Sequence, residues 1–231
     1  MARPPVRGVR IATPDIDASR RFWSILGYEA HGGRLTCGRG ADIVLESSSD
    51  AGPVRVGWDL GPRGLDVYVN DLDAAATRLA DHGHRRGAVA DISIGPVRMR
   101  QCAVLGPANE PLVLVESSHR RPSMLDEGER VFSEVYSVVW CVESRDEVAG
   151  TFADAVLGPP LSFSDPSMGP YLSLPVADAT LDMITIADAE GSSTRLELLS
   201  FPGRAHRAVA ATAGVTGIEF ADGTWWESSA S

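Results

Sequence analysis

Three glutamates, Glu46, Glu116 and Glu197, each close a short apolar segment: DIVLESS, PLVLVESS and RLELLSF. A carboxylate recurring at such a position can act as a general base or, beside nitrogen donors, as a ligand for a divalent ion. Nitrogen and sulfur donors do not accompany them in any metal-binding spacing. His31, His119 and His206 are isolated, and the His82-Gly-His84 pair lies beside Arg85 and Arg86, where it reads as an exposed helix end. Cys37, Cys102 and Cys141 lie far apart without a CxxC, which excludes a zinc ribbon or disulfide framework and fits a reducing compartment. Cys37, within TCGRGAD, reads as part of a hairpin turn rather than as an activated thiol. HExxH, GxSxG, a Walker A lysine and a strand-borne GxGxxG are all missing.

The elements that must position these glutamates repeat along the chain. Three segments share one order: a short alternating strand, an acidic or hydroxyl cap, an amphipathic helix, a glycine, then more short strands. They are VRGVRIATPDIDASRRFWSILGY (Val6–Tyr28), RGLDVYVNDLDAAATRLADHGH (Arg63–His84) and VYSVVWCVESRDEVAGTFADAVLGPP (Val135–Pro160). Asp15 or Asp17, Asp71 or Asp73, and Ser144 are suited to cap the first free amides of each helix. Gly27, Gly83 and Gly158 follow the last periodic residue, as a left-handed C-terminal cap requires. A fourth strand begins at Gly217 in GVTGIEFADGTWW, and the sequence stops soon after.

These repeats predict a first domain at 1–118, with modules at 5–48 and 63–118. A polar linker at 119–133 leads to a second domain at 134–231, formed by a module at 134–203 and a truncated fourth module at 214–231. The 231 residues carry 31 Asp and Glu against 21 Lys and Arg, a net charge of −10, which argues against a nucleic-acid partner. The absence of a long apolar run argues against a membrane partner, and the N-terminus carries no signal-peptide pattern, so the expected location is the cytoplasm.

Alternating strand, DID or DLD cap, a helix ending FWSILGY or FADAVLG, and a closing LE strand together resemble the vicinal oxygen chelate superfamily. Glyoxalase I, bleomycin-resistance proteins and extradiol dioxygenases belong to it. The resemblance spans about residues 5 to 222 and implies an α+β fold. Repeated βαβββ modules would pair into cupped mixed β-sheets, with the helices outside. Modules one and two would form one complete cup, and module three would have only the stub as its partner. In metal-dependent relatives, the first strand of a module supplies a His or Gln and the last strand a Glu. The matching first-strand positions here are Gly8, Gly64, Ser137 and Gly217, so the resemblance implies a scaffold without its metal set and no cofactor.

Residues in phase with those positions are expected to line the cup. They are Arg10, Ala12, Val44 and Glu46; Asp66, Tyr68, Leu112, Leu114 and Glu116; and Val139, Cys141, Arg195, Glu197 and Glu219. Two readings of the charged ones stand side by side. Asp66 or Glu116 acts as a general base while Arg10 steadies an enolate or carboxylate, or Arg10 only neutralises Asp66, Glu46 or Glu116. The expected function is metal-independent binding of a hydrophobic or aromatic metabolite, with a metal-free epimerase, dehydratase or cyclase as the alternative. The segment 161–176 is a candidate lid. Trp225 and Trp226 are candidates for an interface or for internal packing, and the incomplete second half is a candidate homodimer edge.

Overall fold

The computed structural model describes residues 6–152, 155–164, 166–172, 174–176, 179–187, 194–209 and 213–227. Module one comprises β1 (Val6–Thr13), α1 (Ile16–Ile25), β2 (Glu29–His31), β3 (Arg34–Thr36) and β4 (Asp42–Ser47). Module two comprises β5 (Gly61–Val69), α2 (Leu72–Ala80), β6 (Arg86–Ile94), β7 (Val97–Leu105) and β8 (Pro111–Ser117). Module three begins with β9 (Phe132–Cys141), α3 (Arg145–Gly150), β10 (Val156–Leu157) and β11 (Leu161–Phe163). It continues with α4 (Met168–Leu172), β12 (Leu181–Ala187) and β13 (Arg195–Ser200), and the stub supplies β14 (Gly214–Phe220) and β15 (Trp225–Glu227).

Local chemistry explains where the helices begin. Asp15 accepts a hydrogen bond from the amide of Ala18 at 2.8 Å and Asp71 from that of Ala74 at 2.9 Å, so the first aspartate of each DxD is the cap. Gly27 and Gly83 end their helices at φ +87° and +90°, where a Cβ would be strained. The third helix departs from expectation. It stops at Gly150, with Thr151 as its cap, and Val156–Leu157 instead pair with Ala187 and Ile186 of β12. Gly and Thr are weak helix formers, and the edge of β12 offers the following apolar residues a ladder.

The modules pair differently from the expected order. The strands form a six-stranded sheet in the order β15-β14-β1-β4-β3-β2 and a nine-stranded sheet in the order β10-β12-β13-β9-β5-β8-β7-β6, with β11 on β12. Module one therefore pairs with the fourth, through antiparallel β1 and β14, and module two with the third, through antiparallel β5 and β9. Segment 119–133 does not separate two sheets, because β8 and β9 flank the same strand, β5. The edge of β9 away from β13 is taken by β5 of the same chain. As inner strands of the nine-stranded sheet, β5 and β9 are buried along their whole lengths, polar residues such as Arg63, Asp66 and Ser137 included.

One apolar core joins the helix-facing sides of both sheets, with Val9, Ile11, Phe22 and Ile43 from module one meeting Leu65, Leu114, Val138 and Leu198. Polar ties lock the junction. The Val135 amide donates to the Tyr28 hydroxyl at 3.0 Å, and Thr194 Oγ1 bridges the Ala41 amide and the Val135 carbonyl at 2.7 and 2.6 Å. Trp226 stacks on Trp140 with ring centroids 5.1 Å apart, and Trp225 lies beneath Arg10, so both tryptophans pack on their own chain. No helix among the described residues is long and apolar enough to cross a membrane.

Glu110, in the turn before β8, is fully buried and accepts from the Ala108 amide at 2.8 Å. Burial pushes its carboxyl up to about 7, so the folded chain holds this proton more tightly than the unfolded chain. Its stabilising contribution is complete below the unfolded value of about 4.3 and is lost as pH rises toward 7. Replacing Glu110 by Gln is expected to raise the melting temperature relative to wild type at pH 8 but not at pH 4. The gain corresponds to about 4 kcal/mol at most, read as the difference between two melting curves.

Candidate functional site

The face of the nine-stranded sheet turned away from the helices carries a row of polar side chains across its centre. Asp66 of β5 pairs with Val113 of β8 on one side and with Ser137 of β9 on the other, and Ser137 pairs in turn with Arg195 of β13. Glu197 lies two residues further along β13, opposite Val139. Period two places Gly64, Asp66 and Tyr68 on this face and sends Leu65 and Val67 to the helix core.

A cavity of about 100 Å³ opens over this row. Its polar lining comes from Arg63, Asp66, Gln101, Tyr136, Arg195 and Glu197. Its apolar lining includes Ile92, Met99, Met183 and Leu199, and α4 with Phe163 roofs it through Met168, Tyr171 and Leu172. From the segment singled out as a candidate lid, Phe163, Met168, Tyr171 and Leu172 line this cavity. Tyr136 stacks face to face on Tyr68, centroids 3.6 Å apart, and the Arg195 guanidinium lies 5.2 Å from the Tyr136 ring.

The electrostatics of the row are unbalanced. Arg195 pairs with Glu197 at 2.5 Å, whereas Asp66 is 6% exposed and its Oδ1 has no hydrogen-bond partner. Burial, reinforced by the neighbouring Glu197 and opposed by Arg195, raises the Asp66 carboxyl well above the usual carboxylate range. The Ser137 hydroxyl is buried without a partner as well. Burial also pushes Tyr136 and Tyr171 upward, so their phenols stay protonated.

The other expected site residues are distributed elsewhere. Arg10 and Glu46 lie on the six-stranded sheet, where Arg10 pairs with Glu46 at 3.2 Å and with Glu227 at 2.9 Å. Arg10 and Asp66 thus belong to different sheets and form no common centre. Glu116 points out of the cup: it accepts from the Leu72 amide at the start of α2 at 2.8 Å and lies 3.4 Å from Arg100. Leu112 and Leu114 belong to the helix-side core. The cause is a one-residue slip, since the ladder sets Val115, not Glu116, opposite Tyr68, and one step along a strand exchanges its faces. Cys141 is buried in the apolar cluster beneath the cavity, with its thiol pushed up to about 12 by burial, and it does not line the cavity. Asp66 and Glu197 do meet at the cavity, with Tyr68 behind Tyr136. Sequence reasoning missed Arg63, Gln101 and Tyr136. Tyr136 sits inside an apolar run whose phase is broken by a register shift between β5 and β9.

The residues at the positions where relatives hold a metal do not suit an ion. A Cβ on Gly8 would lie 3.0 Å from Glu219 Oε2 and 3.1 Å from Arg34 Nη1, an ion pair that fills the space of an imidazole. A Cβ on Gly64 would meet Val113 Cγ2 at 2.8 Å. Among the described residues, no cluster of three or more His, Cys, Asp or Glu is arranged to hold an ion.

No protein-family model matches the sequence, and no curated protein matches it. Solved structures do. Glyoxalase I from Zea mays superimposes with a TM-score of 0.63 at 13% identity, covering 94% of this chain and 73% of that one. A glyoxalase I mutant from the same plant gives a TM-score of 0.67 at 11% identity over 94% and 73% of the two chains. The chain has the α+β fold of these glyoxalase I structures.

Because folding holds the Asp66 proton, its stabilising contribution is complete below the unfolded carboxylate value and is lost as pH rises through the elevated folded value. Asp66→Asn, which is neutral throughout, is expected to melt progressively higher than wild type as pH rises from 4 to 9. Parallel melting profiles for the two proteins would show that the Asp66 environment is misassigned.

Proposed function

We propose that the protein binds a small, mostly apolar metabolite bearing a polar group in the cavity of the nine-stranded sheet, without using a metal ion. The observation that carries this reading is the buried, unpartnered oxygen of Asp66 beneath a wall of methionines and aromatic rings. A buried polar atom left unpaired costs about 1–3 kcal/mol, which a ligand donor or acceptor offsets on binding. Methionine and tyrosine suit such a wall, being adaptable and amphipathic respectively. The free volume of about 100 Å³ accommodates roughly three water molecules, so a larger ligand displaces the α4 roof.

A thermal-shift screen with aromatic metabolites and acyl thioesters tests this. Saturation at about 100-fold above Kd adds about 2.7 kcal/mol, or about 5–10 °C for a chain of this size. Met183→Trp, which fills the cavity, is expected to erase that shift while the unliganded protein still folds. Stabilisation by none of these compounds, or an unchanged shift in Met183→Trp, refutes the assignment. Stoichiometric zinc, iron, manganese or nickel in protein purified from cells would refute its metal-free part.

A second reading, metal-free acid–base catalysis on a carbonyl-containing metabolite, is favoured by the elevated Asp66 carboxyl beside Glu197 and Arg195. A buried carboxyl that titrates above its usual range can exchange a proton with a carbon acid, and Arg195 can stabilise the developing enolate. On this reading Asp66→Asn abolishes turnover of a bound substrate by about 100-fold or more while affinity changes little. Turnover that survives both Asp66→Asn and Glu197→Gln rules it out.

A further inference from the structure

Behind the cup, across a wall formed by Arg63, Tyr171 and Leu172, lies a second cleft of about 300 Å³. Four arginines reach it: Arg55, Arg63, Arg85 and Arg86. Such clustering is unexpected in a chain of net charge −10. Arg86 has a carboxylate partner, Asp73, at 2.6 Å. Among the described residues, the partners of Arg55 and Arg63 are backbone carbonyls. Arg55 donates to Leu60 at 2.9 Å and Val209 at 3.3 Å, and Arg63 donates to Leu172 at 2.8 Å. Arg63 is 8% exposed, and its Nη1 is buried with no partner.

The carboxylate that both guanidiniums feel, Asp59, is already committed. It is held by Arg207 through two bonds of 2.7 Å and by the Val56 amide at 3.0 Å. Burial, with Arg63 adding repulsion, pulls Arg55 down to about 10, and burial also lowers Arg63. Two neighbouring guanidiniums kept partly out of water, without an ion-pair partner of their own among the described residues, are unfavourable unless an anion joins them. Arg85 stands exposed at the rim, together with Val54 and Leu105, which present apolar surface beside the charge.

We infer that this cleft is an oxyanion-binding site that takes the phosphate or carboxylate of a small anionic ligand between Arg55 and Arg63, with Arg85 closing over it. The planar guanidinium fork matches both anions through paired hydrogen bonds. The inference does not depend on what the cup holds, because its probes are simple anions.

Thermal shift and titration calorimetry at constant ionic strength, with phosphate, pyrophosphate and succinate each compared with chloride, test it. Wild type is expected to be stabilised by at least one of the three, with a dissociation constant of 1 mM or below. A response to the phosphates alone or to succinate alone supports the site and identifies its anion class. Arg55→Gln and Arg63→Gln are each expected to weaken binding at least tenfold. Arg98→Gln, near the start of β7 and outside the cleft lining, is expected to bind as wild type does. Should Arg63→Gln fail to fold, Arg55→Gln and Arg85→Gln carry the comparison. Stabilisation no greater than that given by chloride, or wild-type binding in Arg55→Gln and Arg85→Gln, overturns the inference. Loss of aromatic-ligand binding in Met183→Trp with phosphate binding intact separates this site from the cup.

Discussion

The antiparallel contact between β5 and β9 is the constraint on which the site depends. Both strands are buried from end to end, so each needs a paired neighbour on both sides, and each finds the other. Their ladder aligns module two with module three and sets Asp66 opposite Ser137 and, one strand further, Arg195. Register shifts between Pro62 and Gly64 and between Asp66 and Val67 bend this seam and bring Tyr136 onto the cavity face. Displacing β9 by one residue would send Tyr136 and Val139 into the helix core and remove the cavity.

The two sheets treat charge in opposite ways. On the six-stranded sheet, Arg10 is satisfied by Glu46 and Glu227, and Arg34 by Glu219 at 2.6 Å with Asp42 at 3.8 Å. Two arginines there face four carboxylates, and the Arg34–Glu219 pair blocks the space above Gly8. The nine-stranded sheet leaves Asp66, Ser137 and Arg63 with unpartnered atoms under cover. Groups buried in this way keep their full attraction for a ligand, because water has already been excluded from them.

The helix-side core gives this arrangement its rigidity. It is continuous between the sheets, and the Tyr28 and Thr194 hydrogen bonds tie β9 to module one. The cavity face is therefore backed by close-packed side chains, while its roof, α4, is a helix of five residues held largely by the residues it covers.

The sequence by itself determined the modules. Alternation, the aspartate caps of α1 and α2 and the glycines after them are local features, set by hydrogen bonds and φ angles within a few residues, so they are legible without a partner. The sequence did not determine which module pairs with which. Repeats of similar pattern offer equivalent edges, and the folded chain joins β5 to β9 and β1 to β14. Nor did it determine the fate of Glu116. Glu46 and Glu116 follow nearly identical residues, yet the ladder counts Glu116 one step later, so it caps α2 instead of facing the cup. Arg63 likewise became a site residue only through its neighbours, because whether an arginine is solvated or stranded in a wall between two cavities is decided by the tertiary structure that excludes water around it.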